Sequence, residues 1–111
     1  MILTTLKMVV QPKSRRGLLE AMRAMLAPAR VERGCLSCRF YEDVENRNAF
    51  ILLEEWATQE DLERHLSQDS QRHLLALMEH LSEQPELRFN TISGIAGMAL
   101  MEKVRKEEGP R

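Results

Sequence analysis

The first segment of the chain alternates between apolar and polar positions. Residues 2–10 read ILTTLKMVV, and every second residue from Ile2 to Val10 belongs to the more apolar side. This period of two is typical of a strand with one buried face. Pro12 ends the pattern, because proline has no N–H to donate to a sheet ladder.

The next segment changes to a helical period. Ser14 is a suitable N-cap, and the Pro28 that follows the last full turn is expected to kink or end the helix. Apolar residues recur every three or four positions, as in an amphipathic helix: Leu18, Met22, Met25, Leu26 and Ala29.

Two further strands are predicted after this helix. Residues 35–43 alternate, and residues 49–57 read AFILLEEWA. The polar run DVENRN between them indicates a turn, so the two strands form an antiparallel hairpin. The second strand is expected to present four side chains on one face: Phe50, Leu52, Glu54 and Trp56.

In the second half of the chain, predicted helices are again followed by a predicted strand. Thr58 caps a short helix over residues 59–67, with Asp61 at its third position. Ser70 restarts a helix, and residues 86–93 read ELRFNTIS, a weaker strand pattern. The apolar stripe of that second helix consists of Leu74, Leu77, Met78 and Leu81.

The predicted order β-α-β-β-α-β is that of ferredoxin-like domains. We therefore predict an α+β domain over residues 1–96, with one antiparallel sheet and helices on one face. Residues 97–111 form a C-terminal extension, a short helix followed by a frayed tail. Both sheet faces are apolar and the helices cover only one, so a homodimer is predicted with Ile51 or Leu53 near its centre.

Composition narrows the function without assigning one. The 111 residues fit a single domain, and a net charge of -1 argues against electrostatic capture of nucleic acid. No apolar run approaches the roughly 18 residues that a membrane-spanning helix needs. With no signal peptide visible, a cytoplasmic protein is expected, in which Cys35 and Cys38 remain reduced thiols.

The Cys35–Cys38 pair forms a C-x-x-C motif, but a zinc site needs a second pair. Because the motif begins a strand, its two side chains are expected on opposite faces, packing as small apolar groups. The histidines at positions 65, 73 and 80 are seven and eight residues apart, which fits no metal-ligand spacing. No metal site is predicted.

His65 is the strongest candidate for acid–base chemistry. It lies four residues after Asp61 on one predicted helix, so the two side chains can touch and the acid can orient the ring. A surface histidine in a polar helix is the alternative. Of Glu54 and Glu55, one must face the helices, and a buried carboxylate needs a partner. Arg39 on the neighbouring strand is a candidate for that partner.

The segment GCLSCRFYEDVENRNAFILLEEWATQEDLERHL resembles the antibiotic biosynthesis monooxygenase domain family. The resemblance covers about residues 1–93. It implies a dimeric α+β barrel, made of two sheets packed face to face, with a pocket in each subunit between sheet and helices. The matching residues are Gly34, Cys35, Leu36, Tyr41, Asp43, Phe50, Glu55, Trp56, His65 and Leu66.

The activities that the resemblance implies include cofactor-independent oxygenation of aromatic polyketides or quinols, haem degradation and processing of small signals. Haem-degrading members have an asparagine on the first strand and a tryptophan where His65 stands. This chain has neither, so haem degradation is not expected. We predict an enzyme that oxidises a small aromatic or quinol-type substrate without a cofactor, with His65 as base and Asp61 as its orienting acid.

Five further residues are predicted to contact the substrate. Trp56, Phe40 and Phe89 are expected to shape the wall of the pocket. Arg39 or Arg72 is expected to stabilise an anionic intermediate, as fixed charges do in a dry site. The alternative function is a non-catalytic module of the same fold that binds a small ligand or supports assembly, since a fold does not determine a function.

Overall fold

The computed structural model describes residues 1–108, with side chains described through residue 107. Two single 3₁₀ turns, Pro12–Ser14 and Met78–His80, precede and follow the helices of the core. The strands are β1 (Ile2–Val9), β2 (Cys35–Glu42), β3 (Ala49–Trp56) and β4 (Glu86–Thr91). The helices are α1 (Arg15–Arg30), α2 (Gln59–Leu66), α3 (Ser70–Leu77) and α4 (Met98–Glu108).

The four strands form one antiparallel sheet in the order β2-β3-β1-β4. The prediction of a ferredoxin-like α+β fold is therefore confirmed. In register, Ile2 of β1 lies opposite Trp56 of β3, and Met8 lies opposite Phe50. Residues that are paired in this way point to the same side of the sheet, so the predicted apolar faces of β1 and β3 form one continuous surface.

That surface, which we call the covered face, packs beneath α1, α2 and α3. Its side chains from β1 and β3 are almost completely buried, as the period of two in both strands predicts. Trp56 is fully buried near Leu62 of α2. The main core joins the sheet to α1 and α3: Leu6, Met8, Val10, Leu18, Met22, Ala29, Cys38, Phe50, Leu52 and Leu74.

Helix α1 continues for two residues beyond Pro28 and ends at Arg30. Proline in the last turn removes only one backbone hydrogen bond, and the helix end gains a tertiary contact instead. The Arg30 Nε donates to the Cys38 carbonyl at 2.9 Å. This bond fixes the end of α1 on strand β2.

Strand β2 contains a β-bulge directly after Cys35. Cys35 lies opposite Trp56 and Cys38 lies opposite Glu54, so both thiols point to the covered face. The prediction that they point to opposite faces was wrong, because a bulge adds one residue to the strand and shifts the alternation. Leu36 is the residue pushed outwards, and it is 57% exposed.

The other side of the sheet, the open face, contains Leu3 and Val9 of β1 and Ile51 and Leu53 of β3. These side chains are half-buried, in contrast to the buried ones on the covered face. Tyr41 of β2 is exposed beside them. Apolar residues thus occupy both faces, but only one is enclosed within the described chain.

The side chains of β4 and α4 are less buried than those of the preceding strands and helices. Phe89 of β4 points to the covered side but is 47% exposed, and the apolar residues of α4 are exposed as well. The division into residues 1–96 and 97–111 stays a prediction, and the tail after residue 108 lies outside the described residues. Within residues 1–108, no helix is long and apolar enough to cross a membrane.

Candidate active site

A cavity of about 470 Å³ lies between helices α1 and α3 and the covered face of the sheet. Its volume is typical of pockets that hold small molecules, roughly 300–1,000 Å³. Most of its wall is apolar, with Met22, Met25, Leu52 and Leu74 among the contributors. Polar groups gather where α2 meets the sheet: Glu32, Glu54, His65, Gln68 and Gln71.

His65 is at the centre of this polar group and is only 3% exposed. Its Nδ1 lies 2.8 Å and 3.0 Å from the two carboxylate oxygens of Glu32. Its Nε2 lies 3.4 Å from Glu54 Oε2 and 3.2 Å from the Gln71 amide nitrogen. The imidazole therefore separates two carboxylates, each facing a different ring nitrogen.

Local structure explains why these groups meet. The inward side of α2 carries Asp61, Leu62 and His65, an i, i+1, i+4 set on one side of a helix. Glu54 occupies an inward position of β3, between buried neighbours on the same face. Glu32 follows the end of α1, and the bond from Arg30 to β2 brings that end over the sheet.

Trp56 supports the imidazole from behind and does not line the cavity. The indole and imidazole ring centroids are 4.4 Å apart, with the planes tilted by 30°. The indole Nε1 also donates to Glu54 Oε1 at 3.4 Å. Trp56, whose side chain is fully buried, thus restricts the orientation of both His65 and Glu54.

Glu54 is 6% exposed, and its hydrogen bonds are long. The nearest donors are His65 Nε2 and Trp56 Nε1, each at 3.4 Å, and the Cys38 thiol at 3.9 Å. Ordinary N–H···O bonds are roughly 2.7–3.2 Å, so this buried carboxylate retains capacity to accept. Thr4 lies opposite it on β1, with a buried hydroxyl that has no partner among the described residues.

The two carboxylates determine the protonation of His65. Burial alone lowers the pKa of the ring, but the hydrogen bonds and charges of Glu54 and Glu32 outweigh it, and the pKa is raised above 6.5. The imidazolium form, which donates from both nitrogens, therefore persists to higher pH than in free histidine. When Nε2 carries no proton, the Gln71 amide can donate to it; when it is protonated, the amide oxygen must face it.

The two thiols beside this pair are not activated nucleophiles. Burial and then the charge of Glu54 raise the pKa of the Cys38 thiol to about 12. The pKa of Cys35 is raised by the same causes. A thiolate is the reactive form of cysteine, so both side chains remain neutral thiols near pH 7.

Asp61 does not contact His65, which corrects the predicted pairing. Its carboxylate accepts from the Thr58 hydroxyl and from Arg64 Nη1, each at 2.8 Å. These two hydrogen bonds, that of Arg64 first, lower the pKa of Asp61. Its side chain also packs on Gly34, whose φ is +82°. Asp61 therefore anchors the start of α2, while Glu32 takes the orienting position next to His65.

The other predicted contact residues do not reach the cavity. Phe40 stacks on Phe50 elsewhere in the core, with the ring centroids 5.1 Å apart. Phe89 is exposed on the edge strand β4. Arg39 lies opposite Leu53 and points to the open face, so it is not the partner of the buried carboxylate. The predicted wall and the predicted cation at the site are corrected accordingly.

Arg72 is also outside the cavity. Its guanidinium is 84% exposed and lies 3.8 Å from Asp69 within the same helical segment. His73 of α3 borders the cavity, and its side chain is exposed. Within residues 1–108, no group of three or more His, Cys, Asp or Glu side chains is arranged to hold a metal ion.

Sequence reasoning missed Glu32, and it assigned the wrong partner to Glu54. Glu32 lies in a turn without periodicity, 33 residues from His65, so no local pattern connects them. Glu54 did give a signal, a charged residue at an inward position of an alternating strand. Such a residue requires a partner, but the sequence does not tell which helix supplies it.

The chain is similar to known proteins over most of its length. The family model of antibiotic biosynthesis monooxygenases matches residues 1–77. A crystal structure of an antibiotic biosynthesis monooxygenase has a TM-score of 0.76 at 19% identity, over 85% of this chain and 100% of that one. A Deinococcus radiodurans structure reaches a TM-score of 0.81 at 16% identity, over 87% and 97% of the two chains.

Two further relatives have no activity in their names. Rv0793 of Mycobacterium tuberculosis has a TM-score of 0.78 at 22% identity, over 86% of this chain and 98% of that one. The uncharacterized protein sll1783 of Synechocystis sp. is 32% identical over 56 residues, 50% of this chain and 38% of that protein. Structural likeness at such low identity shows the fold, whereas the family model matches well over half of the sequence. The chain belongs to the antibiotic biosynthesis monooxygenase family.

Proposed function

We propose that this protein is an oxidoreductase that adds one oxygen atom from dioxygen to a small aromatic or quinol-type substrate without a bound cofactor. The observation that carries the proposal is the position of His65. It lies between Glu32 and Glu54 at the wall of a largely apolar cavity. A buried acid–base group beside a substrate-sized space is a common feature of catalytic sites.

The proposed reaction takes its electrons from the substrate. At an activated methylene carbon, loss of a proton leaves a carbanion, which reduces dioxygen and forms a C–O bond. The resulting hydroperoxide loses water and leaves a carbonyl group. One oxygen atom thus enters the product and the other leaves as water, so the step balances without an external reductant.

The protein would supply proton transfer and an apolar environment. We assign the proton transfer to the His65–Glu54 pair. The carboxylate accepts the proton, and the imidazolium donates to the substrate oxygen that gains negative charge. Glu32 holds the ring by its Nδ1, which is the role that the sequence assigned to Asp61.

The alternative, a module that only binds or assembles, would be favoured by an apolar cavity with His65 directed to bulk water. The described geometry is the opposite, since His65 is buried and paired on both nitrogens. Two carboxylates around one imidazole are costly to bury. This unfavourable burial is more easily explained by a catalytic role of the three groups than by a role in ligand binding alone.

We further propose that the protein works as a homodimer joined through the open face. The support is the row of half-buried apolar side chains there, Ile51 and Leu53 among them. Sheets pack about 10 Å apart, and an obligate interface of roughly 2,000 Å² would bury this surface. We also place the protein in the cytoplasm, where its two free thiols would persist; recovery outside the cytoplasm in a cell fractionation would contradict this.

The test of the function is oxygen consumption by purified protein with anthrone and with 1,4-dihydroxynaphthalene. The proposal predicts turnover above the rate in protein-free buffer, with one water formed per carbonyl product in the anthrone reaction. Labelling with ¹⁸O₂ should place one labelled atom in that product. A rate equal to that of buffer for both substrates would count strongly against an oxygenase. So would oxidation of 1,4-dihydroxynaphthalene alone, with hydrogen peroxide released and no ¹⁸O in the product.

A further inference from the structure

We propose that the cavity selects an uncharged ligand bearing a hydroxyl group, and that Glu32 and Glu54 exclude carboxylated analogues. This rests on the proposed function only in taking the same cavity as the substrate site. It adds the charge class of the substrate and the residues that determine it. The exclusion of carboxylated analogues follows neither from the fold nor from the aromatic or quinol-type character assigned to the substrate above.

The first step is the charge of the cavity. The ionisable groups at its buried end are the Glu32 and Glu54 carboxylates and the His65 imidazole, and the exposed side chain of His73 borders the cavity as well. His65 contributes at most one positive charge between the two carboxylates, which leaves an excess of at least one negative charge around the ring in a nearly buried place. Among the described residues that line this cavity there is no lysine or arginine.

Two arginines that follow or precede a cavity-lining residue in the sequence are already committed elsewhere. Arg30 donates to the Cys38 carbonyl at 2.9 Å and borders a separate cleft beside β2. Arg64 pairs with Asp61 at 2.8 Å and is partly exposed. A ligand carboxylate in the cavity would therefore meet like charge without a compensating cation, and like charges brought together at a buried site oppose binding.

The second step is the hydroxyl group. The donors around Glu54 are all farther than an ordinary hydrogen bond, and the carboxylate borders the cavity. Buried acceptors are normally satisfied, so a ligand O–H placed here would complete the shell of Glu54. The unpartnered hydroxyl of Thr4, opposite Glu54 across the sheet, is a second sign that this corner is short of partners.

The third step is the distribution of polarity. The wall contributed by α1 is apolar, with Met22 and Met25 among its side chains, and Leu74 of α3 extends it. The other α3 side chains that border the cavity are polar: Ser70, Gln71 and His73. A ligand with its hydroxyl at one end and a flat apolar body fits this asymmetry. A ligand that is charged at its polar end does not.

The experiment compares three ligands by calorimetry without oxygen, so that no turnover is required. They are 1-naphthol, 1-methoxynaphthalene and 4-hydroxy-2-naphthoate, whose hydroxyl and carboxylate are too far apart to bond to each other. We expect 1-naphthol to bind at least about tenfold more tightly than the methoxy compound, the value of one hydrogen bond to a charged group. The naphthoate should bind at least about 30-fold more weakly than 1-naphthol.

Two variants test the charge argument. Glu32→Gln and Glu54→Gln each keep the shape and remove one negative charge, so at least one should reduce the discrimination against the naphthoate to below about fivefold. Glu83→Gln is the control, because it changes the net charge equally at an exposed position. It should leave the ratio unchanged. Using two variants protects the test against misfolding of one, which circular dichroism would detect.

The inference is overturned if wild-type protein binds the naphthoate as tightly as 1-naphthol, or if neither variant changes the ratio. Equal binding of the methoxy compound would overturn the hydroxyl requirement. These outcomes are separate from failure of the proposed function. Selective naphthol binding without oxygen consumption would contradict the oxygenase alone, whereas turnover of carboxylated substrates at equal affinity would contradict this inference alone.

Discussion

The covered and open faces of the sheet come from the same strands, yet they differ in what they bury. On the covered face, every second residue of β3 is buried. Glu54 is one of these buried residues, and it contacts His65 of α2. On the open face, Ile51 and Leu53 are half-buried, and Glu55 accepts a hydrogen bond from the Ser37 hydroxyl at 3.0 Å. The period of two therefore predicts which face each side chain occupies. A polar residue at an apolar position, such as Glu54, indicates a candidate functional group.

The largest expected effect concerns the open face. Leu53→Asp places a charge in the middle of the predicted dimer interface, where it would be buried without a partner. We expect insoluble or unfolded protein rather than a stable monomer, because the rest of the apolar face would remain exposed. Expression yield and circular dichroism measure this.

The matched control is Leu75→Asp, at an exposed position of α3. It should leave soluble, folded protein. Sedimentation equilibrium of the wild type should give a dimer at micromolar concentration. A well-folded species of 12.9 kDa there would contradict the dimer and the role of the open face.

The next effect concerns the covered face. His65→Ala removes the imidazolium that donates to the substrate oxygen, and it leaves Glu32 and Glu54 without a cation between them. Any oxygenase activity should fall by about 10²–10⁴-fold. His80→Ala, at an exposed position after α3, should retain wild-type rates; equal losses in both variants would remove the special role of His65.

The fold was more predictable than the site for a physical reason. Strands and helices follow from local periodicity, so β1, α1 and the hairpin could be derived from spacing alone. His65 was found as a candidate, but its partner is Glu32, distant in sequence, and not the nearby Asp61. The bulge after Cys35 gave no sequence signal, and it changed which thiols face the core.

Gly34 offers a third test, because it links the turn before β2 to the start of α2. A Cβ at Gly34 would overlap the Asp61 carboxyl, and φ is +82°. Gly34→Ala should lower the free energy of unfolding by about 3 kcal/mol, the combined effect of overpacking and an unfavourable φ. Gly17→Ala in α1 meets nothing within 4 Å and should be neutral or stabilising in the same urea titrations.

The pH dependence of stability gives a smaller effect that is specific to the covered face. The folded pKa of His65 is raised above 6.5, since Glu54 and Glu32 outweigh the opposing effect of burial. The protonated ring therefore contributes its full stabilisation below about pH 6.5, and this contribution is lost as pH rises through the folded pKa. The Cys38 thiol, with a pKa of about 12, does not titrate in this range.

Urea unfolding from pH 5 to pH 9 measures this, with His65→Gln as the comparison. The stability difference between wild type and variant should be largest at the acidic end and should shrink towards pH 9. A difference that grows with pH would show that His65 is buried neutral, contrary to its two carboxylate partners.

The smallest effect concerns the N-terminus of α2, the helix that brings His65 to the covered face. The Thr58 hydroxyl accepts from the Asp61 backbone N–H at 3.1 Å and donates to the Asp61 carboxylate at 2.8 Å. Thr58→Ala removes both and should cost about 1 kcal/mol of stability. Ser14 is the matched control, because it occupies the N-cap of α1 without a side-chain cap bond.

Ser14→Ala should therefore change stability by only a few tenths of a kcal/mol, which is typical of a surface substitution. The two variants together distinguish Thr58, whose side chain makes a capping hydrogen bond, from Ser14, which is predicted as a cap from sequence but makes no such bond. If Thr58→Ala also lowers oxygenase activity while the protein remains folded, the start of α2 positions His65. If activity is unchanged, the bonds from His65 to Glu32 and Glu54 are sufficient to hold the ring, and the covered face organises its site independently of the helix cap.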